Sequence, residues 1–262
     1  MVQTVLLNGD PHLLRSQLAD FNIVGVVHLA SEYVKDHSVE SVSALINANI
    51  AFGAQILEAT SADAQWFLNV GSIWQHHHGQ MDTAANLYAA TKNAFEQLLA
   101  FYSNSASISA MSVYIGDTYG PGDSRPKILN LWRDSALQGS RVKMSPGFQK
   151  LSILHVDDVV DALVKAIGLL SARPDAASQR FQRFVIDSDK YVNLRDLATL
   201  FGKATGLNLK VEWGASPYRK REVMDPTVPF QRLPGWSPRK TLEDGLREVF
   251  GFCAPSENFL SE

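Results

Sequence analysis

Short, almost wholly apolar runs alternate along the chain with longer stretches in which apolar residues recur every three or four positions. Residues 4–7 (TVLL), 23–30 (IVGVVHLA), 66–70 (WFLNV), 109–115 (SAMSVYI) and 183–187 (RFVID) are short and mostly apolar, and they read as buried strands. Residues 41–60 (SVSALINANIAFGAQILEAT) and 87–103 (LYAATKNAFEQLLAFYS) carry the helical period. Buried strands separated by helices predict an α/β fold with a mostly parallel sheet covered on both faces. Right-handed crossovers make that sheet doubly wound.

The texture changes after Tyr119. Residues 119–126 (YGPGDSRP) form a loop punctuated by Gly and Pro. Residues 155–170 (HVDDVVDALVKAIGLL) read as a helix capped by Asp157 or Asp158, and residues 193–206 as a helix stopped by Gly206. The tail (LPGWSPRKTLEDGLREVFGF) closes in a short helix. The division expected is a core of residues 1–120 and 152–187, with a smaller lobe of residues 121–151 and 188–262. No internal repeat or low-complexity segment interrupts it.

With 262 residues, the chain holds one large α/β domain or a domain with an attached lobe. Its 24 Lys and Arg against 27 Asp and Glu give a net charge of -3, so electrostatics make no case for nucleic acid or an anionic membrane as partner. Cys253 is the single cysteine; no intrachain disulfide can form, and a reducing, cytoplasmic setting is expected. No apolar run is read as approaching the ~20 residues of a membrane span, and the first residues lack the pattern of a secretory signal.

The chemistry sits at the start of the second helical stretch. Tyr88 and Lys92 are four apart and share a helix face. A phenol is a poor acid–base group near neutrality, but an ammonium beside it favours phenolate. Ser72, just past the strand at 66–70, adds a hydroxyl where ligands bind such sheets, beyond the strands' carboxyl ends. A Tyr and a Lys four apart also occur by chance on many helices, so the order of the surrounding signals decides. His28, on a buried strand, reads as a core histidine. His76, His77 and His78 are consecutive in a loop with no Cys or carboxylate cluster, so no metal site is expected there. Arg125, Lys127, Arg219 and Arg221 are candidates for anionic oxygens.

Those surrounding signals resemble the extended short-chain dehydrogenase/reductase family, the NAD(P)-dependent sugar-nucleotide epimerases, dehydratases and reductases. VVHLAS is similar to its strand ending in His-Leu-Ala-Ala, NANIAFGAQILEA to its helix with an early Asn, and NVGSIWQH to its Ser/Thr segment. Tyr88–Lys92 matches its Tyr-x-x-x-Lys, and DTYGPGD, LHVDDVVDA and LPGWSPRKTLEDGL its later signatures, all in family order. Ile73 and Trp74 stand where the family's dehydratases carry an acid. The chain looks most like members acting on CDP-linked 4-keto-deoxyhexoses, of the abequose and paratose synthase type. UDP-hexose 4-epimerases, and a non-catalytic relative binding a sugar nucleotide or a partner, are the rival readings.

The resemblance implies hydride transfer between NAD or NADP and a sugar carbon, with Ser72, Tyr88 and Lys92 catalytic. It implies Asp10, Leu29, Ala30, Ser31, Asn49, Tyr88 and Lys92 as cofactor contacts, and His76, Asp117, Arg125, Lys127 and Arg219 as contacts to a nucleotide sugar. It also implies a homodimer formed by the helices at 41–60 and 87–103, where Phe52, Phe95 and Phe101 exceed what one buried face requires. The family's Gly-x-x-Gly-x-x-Gly turn does not occur in residues 1–262. By the resemblance, residues 4–7 match the family's third strand. The expected fold is therefore a Rossmann-like doubly wound parallel sheet lacking its first two strands, with an open edge and weak NAD(P)H binding.

Overall fold

The computed structural model describes residue 4 and residues 11–81, 83–106, 108–172 and 180–251. Asp10, Cys253 and most of the strand expected at 4–7 lie outside them. The chain divides into two compact units. The first holds Met1–Gly116, Asp161–Asp187 and Pro226–Trp236, and the second Asp117–Val160, Ser188–Asp225 and Ser237–Glu262.

The elements in chain order are α1 (Pro11–Leu18), β1 (Gly25–His28), α2 (Val39–Ile46), α3 (Phe52–Thr60), β2 (Trp66–Ser72), α4 (Leu87–Ser105), β3 (Ser109–Ile115) and β4 (Asp117–Tyr119). There follow α5 (Ile128–Leu137), β5 (Arg141–Met144), β6 (Lys150–Leu151), β7 (Ile153–His155), α6 (Val156–Ser171), β8 (Phe181–Ile186), β9 (Val192–Asn193), α7 (Leu194–Thr205), β10 (Lys210–Trp213) and α8 (Leu242–Phe250).

The first unit is built on a parallel sheet in the order β1-β2-β3-β8. Its register sets Gly25 beside Trp66, Trp66 beside Ser109 and Ala110 beside Phe181. Glycine is required at position 25, because a Cβ there would lie 2.1 Å from the Trp66 indole. Residues Trp66–Gly71 of β2 are all buried, as expected of a strand covered on both faces, and the one polar side chain among them, Asn69, donates to Ser112 Oγ at 3.1 Å. Leu57, Phe67, Phe95, Leu99, Ile108 and Phe181 form one core of this unit. Residues 226–236 belong with it: Val185 of β8 donates to the Gln231 carbonyl at 2.9 Å, and Leu233 donates back to Val185 at 3.1 Å.

The helix expected at 41–60 runs as α2, a π-helical turn at Asn47–Ala51, and α3. By length and composition the 22 residues Val39–Thr60 are apolar enough to cross a membrane, against the sequence expectation. Leu45 and Leu57 are buried, Gly53 lies under Phe95, and Asn49 is buried at the π turn among protein hydrogen-bond partners. A π turn widens the helix by one residue, a device found often at functional sites. Of the phenylalanines expected to be surplus, Phe95 is buried and packs with Phe67, and Phe52 packs toward His28. Phe101 alone of the three is exposed.

The second unit is made of short strand pairs: β4 with β7 and β5 with β10 in parallel, β6 with β9 antiparallel. They enclose a core of Tyr119, Trp132, Leu197, Phe201, Leu246 and Phe250. Gly206, with a φ of 73°, ends α7 as expected. The capping role expected of Asp157 or Asp158 is corrected. Both lie inside the first turn of α6, and the Nδ1 of His155 accepts the Asp157 amide at 3.2 Å. Asp158 instead accepts the Arg239 and Lys240 amides at 2.9 and 3.2 Å.

Candidate active site

The C-terminal end of β2 and the first turns of α4 are fastened together. Lys92 donates from Nζ to the Val70 carbonyl at 2.9 Å. That contact anchors the second turn of α4 to the strand two residues before Ser72. Ser72 is the last residue of β2, not a residue beyond it. Its backbone amide donates to Gln75 Oε1 at 2.8 Å, and its Oγ accepts the Trp74 amide at 3.3 Å, forming a capping box over a short 3₁₀ turn. Gln75 then reaches α4: its Nε2 donates to Asn93 Oδ1, and Asn93 Nδ2 donates to the Gln75 carbonyl, both at 2.9 Å. Ser72 is thus positioned on the helix that carries Tyr88 and Lys92.

Asn86 starts that helix. Its Oδ1 accepts the Ala89 amide at 3.0 Å, and its Nδ2 holds the Lys35 carbonyl at 3.1 Å. Tyr88 follows in the first turn, and the Lys92 ammonium lies 5.7 Å from its ring centroid. Burial lowers the Lys92 pKa to about 8. The expected pairing of phenol and desolvated ammonium is therefore present.

The loop after β1 faces the same helix. Leu29, Ala30 and Ser31 are exposed immediately past the strand end. Asn49 holds the loop: its Oδ1 accepts the Glu32 amide at 2.7 Å and the Ser31 hydroxyl at 3.1 Å. Its Nδ2 donates to the Glu32 carbonyl at 3.0 Å and to Thr91 Oγ1 at 2.9 Å. These four contacts make Asn49 a residue that shapes the loop. An open loop at the strand end, beside a desolvated ammonium and a phenol, has the donor chemistry to hold the nicotinamide ribose of a dinucleotide.

Beneath this surface lies a polar network that the sequence reading missed. Tyr114 donates to Glu96 Oε2 at 2.6 Å, and Arg183 Nε donates to Glu96 Oε1 at 2.6 Å. Burial, then the Glu96 charge, pushes the Tyr114 phenol well above its ordinary range, so it remains a donor. His76, read as a substrate contact, is instead buried at 3%, edge-on to Tyr114 at 4.9 Å and Phe230 at 5.0 Å. His28 is the core histidine expected, its ring 4.9 Å from Phe95, with its pKa lowered to about 4 by burial and by the Lys92 charge.

The remaining substrate candidates lie in the second unit. Asp123 forms a bidentate pair with Arg125, at 2.7 and 2.8 Å, and sits 3.4 Å from Lys127. The Arg125 hydrogen bonds hold the Asp123 carboxyl down at about 2. Lys127 also donates to the Thr118 carbonyl at 2.8 Å and to its Oγ1 at 3.0 Å. Burial raises the pKa of Asp117, and the charges of Lys127 and Arg219 work against that rise. Residues 118–125 and Val156 line a cavity of about 370 Å³. Asp117, Arg125, Lys127 and Arg219 thus form a charged neighbourhood within their own unit. His155, Asp157 and Glu248 lie close together in this unit, and Lys240 donates to both carboxylates.

Residues 6–176 match the model of the NAD dependent epimerase/dehydratase family, and the chain belongs to it. That family is one of NAD-dependent epimerases and dehydratases. A CDP-abequose synthase of Salmonella typhimurium is 27% identical over 236 residues, 88% of this chain and 76% of that one. Among solved structures, MoeE5 in complex with UDP-glucuronic acid and NAD superposes with a TM-score of 0.78 at 20% identity, over 93% of this chain and 83% of that one. The UDP-glucose 4-epimerase of Thermotoga maritima, solved with UDP-glucose, gives 0.76 at 19%, over 92% and 81%. These likenesses bear out the Rossmann-type α/β architecture.

Proposed function

We propose that the chain is a reductase or epimerase of a nucleotide-linked 4-keto-deoxyhexose. The observation that carries this reading is the fastening of Ser72 to the helix bearing Tyr88 and Lys92, through Gln75–Asn93 and Lys92–Val70. The likeness to CDP-abequose synthase favours a deoxyhexose. A bound nicotinamide supplies or accepts the hydride. Tyr88 gives a proton to the sugar oxygen on reduction and takes it on oxidation, as a general acid–base. The Lys92 ammonium favours the phenolate form of Tyr88 and holds the cofactor ribose. The Ser72 hydroxyl hydrogen-bonds the same sugar oxygen. Leu29, Ala30 and Ser31 line the cofactor.

The test supplies the full chain with NADH or NADPH and a CDP-linked 4-keto-6-deoxyhexose. Oxidised cofactor is expected in equal amount to reduced sugar. Tyr88→Phe is expected to slow turnover ~10²–10⁴-fold without weakening sugar-nucleotide binding. Inversion of a UDP-hexose with no net cofactor oxidation identifies a 4-epimerase instead. Full turnover by Tyr88→Phe overturns the assignment of the proton donor.

We also propose a homodimer through α2, α3 and α4, where Val39, Ile46 and Phe101 are exposed. Phe101→Asp is expected to leave a monomer at micromolar concentration in sedimentation. A wild-type chain that is itself monomeric there sinks the proposal.

A further inference from the structure

Three aromatic rings meet where the candidate proton donor stands. Tyr33 lies edge-on to Tyr88, with centroids 5.0 Å apart and planes at 82°. Trp74 completes the group, 6.2 Å from Tyr33 and tilted at 54°. The rings come from three elements: the loop after β1, the turn after β2, and the first turn of α4. Each is pinned. Asn49 holds Glu32 on one side of Tyr33, and Asn86 holds Lys35 on the other. The Trp74 amide is tied to Ser72 Oγ, and the Trp74 side chain packs against the cluster of Ile73, Tyr114 and Val185. Tyr33 nevertheless remains 48% exposed, a large apolar ring kept in place with one side open.

We propose that Tyr33 and Trp74 form an aromatic corner that receives the C6 methyl group of a 6-deoxyhexose and thereby selects it over a hexose. The inference rests on the proposed function. If Tyr88 acts on the oxygen at C4 of the sugar, the group on C5, which is C6, is two bonds from the reacting carbon. It therefore comes within reach of the groups around the Tyr88 ring, which include the Lys92 ammonium at 5.7 Å and, on another side, the Tyr33 ring with Trp74 behind it. A methyl group gains from leaving water for such a surface. A hydroxymethyl group brings an oxygen that loses its water, and a carboxylate brings a charge that loses more. Discrimination by one such group in an apolar site is roughly 10–200-fold.

The test compares CDP-6-deoxyglucose with CDP-glucose, which differ only by the oxygen on C6, and the matching UDP pair. Affinities for the full chain are measured by calorimetry, with and without NADH. The 6-deoxy sugar is expected to bind at least ~10-fold more tightly. Tyr33→Ala should bring the ratio close to one, Tyr33→Phe should preserve it, and Trp74→Phe should reduce it in part. Near-UV circular dichroism checks that each variant keeps its fold, and Tyr33→Leu replaces Tyr33→Ala if it does not. Equal affinity within each pair, or a ratio that survives loss of the Tyr33 ring, overturns the aromatic corner while leaving the proposed function standing. Failure of both pairs to bind overturns the proposed function and this inference with it.

Discussion

Gln75 and Asn93 hold each other through two reciprocal hydrogen bonds of 2.9 Å, and Gln75 Oε1 at the same time accepts the Ser72 amide. Through Gln75, the side chain of Asn93 on the helix thereby fixes the strand-end backbone that carries the Ser72 hydroxyl. Asn93→Ala deletes both contacts and leaves the buried Gln75 with unmet polar atoms. A loss of about 1–3 kcal/mol of folding stability is expected. Turnover should fall roughly 10–100-fold with sugar-nucleotide affinity unchanged, because a misplaced Ser72 affects the chemical step. Denaturant unfolding and a kcat against KM comparison check the two halves. Unchanged kcat would show that Ser72 does not depend on this clamp.

His28 gives the molecule an acid-sensitive core. Its pKa is about 4 in the folded chain, against 6.5 for an ordinary histidine, because protonation would charge a ring packed among Phe52, Phe67 and Phe95. Between those values the unfolded chain binds the proton and the folded chain does not. Stability is therefore fully present above pH 6.5 and drains away as pH falls to 4, by roughly 3 kcal/mol. His28→Phe keeps a ring in the site and removes the proton site. Its stability profile between pH 4 and 6.5 should be flatter than that of the wild type by about this amount. Parallel profiles would assign the acid sensitivity elsewhere.

The parts of the fold that the sequence made legible are those with one uniform signal. Ser109–Ile115 is a strand with the bounds read from the sequence, and Leu87–Ser105 exceeds the expected helix by two residues. Ser72 and its partner Gln75 were encoded as a Ser-x-x-Gln capping box, a legible signal that was passed over. The short strands of the second unit were not legible. β6 and β9 are two residues each, and no period can be counted over so few. The burial of His76 depends on Phe230, far along the chain, so a run of three histidines looked like loop. Asp157 and Asp158 looked like caps because a histidine is not among the preferred capping residues, yet His155 does that work. The role of Asn49 was half legible: its type and place mark it out, but its three partners, Ser31, Glu32 and Thr91, lie in a loop and a helix that only the tertiary fold brings to it.

Gly53 is a helical glycine that cannot be improved. Alanine raises helix propensity by about 1 kcal/mol over glycine in an open helix. At this position a Cβ would stand 2.4 Å from Phe95 Cε2, and the Phe95 ring is itself hemmed in by His28 and Phe67. Gly53→Ala is therefore expected to destabilise the chain by about 1–3 kcal/mol through overpacking. Phe95→Leu should relieve the clash, so the double variant is expected to be more stable than the sum of the two single changes allows. A stabilised Gly53→Ala single variant, measured by thermal unfolding, would mean that α3 can draw away from α4.

Lys92 sets chemistry against stability. Its ammonium is buried beside the Val70 carbonyl, and its pKa falls from 10.5 to about 8. Below pH 8 the folded chain carries this charge out of water at a cost of roughly 3 kcal/mol relative to the unfolded chain. Between pH 8 and 10.5 the unfolded chain holds more protons than the folded one, so the wild type gains stability as pH rises. Lys92→Met removes the charge and keeps the length of the side chain, but leaves the Val70 carbonyl without its donor, a loss of about 1–3 kcal/mol. At pH 7 the variant should therefore match or exceed the wild type in stability while losing turnover. As pH rises toward 10.5 the difference should reverse, because the neutral amine of the wild type still donates to Val70 and the methionine does not. The same change removes one of the two causes that lower the His28 pKa, so the loss of stability below pH 6.5 should be smaller in the variant and end at a higher pH. Stability curves of the two chains between pH 5 and 10.5, taken as a difference, show the His28 change below pH 6.5 and the Lys92 titration above pH 7. A difference that does not vary with pH above 7 would show that Lys92 is not a desolvated ammonium, and the electrostatic pairing with Tyr88 would lose its basis.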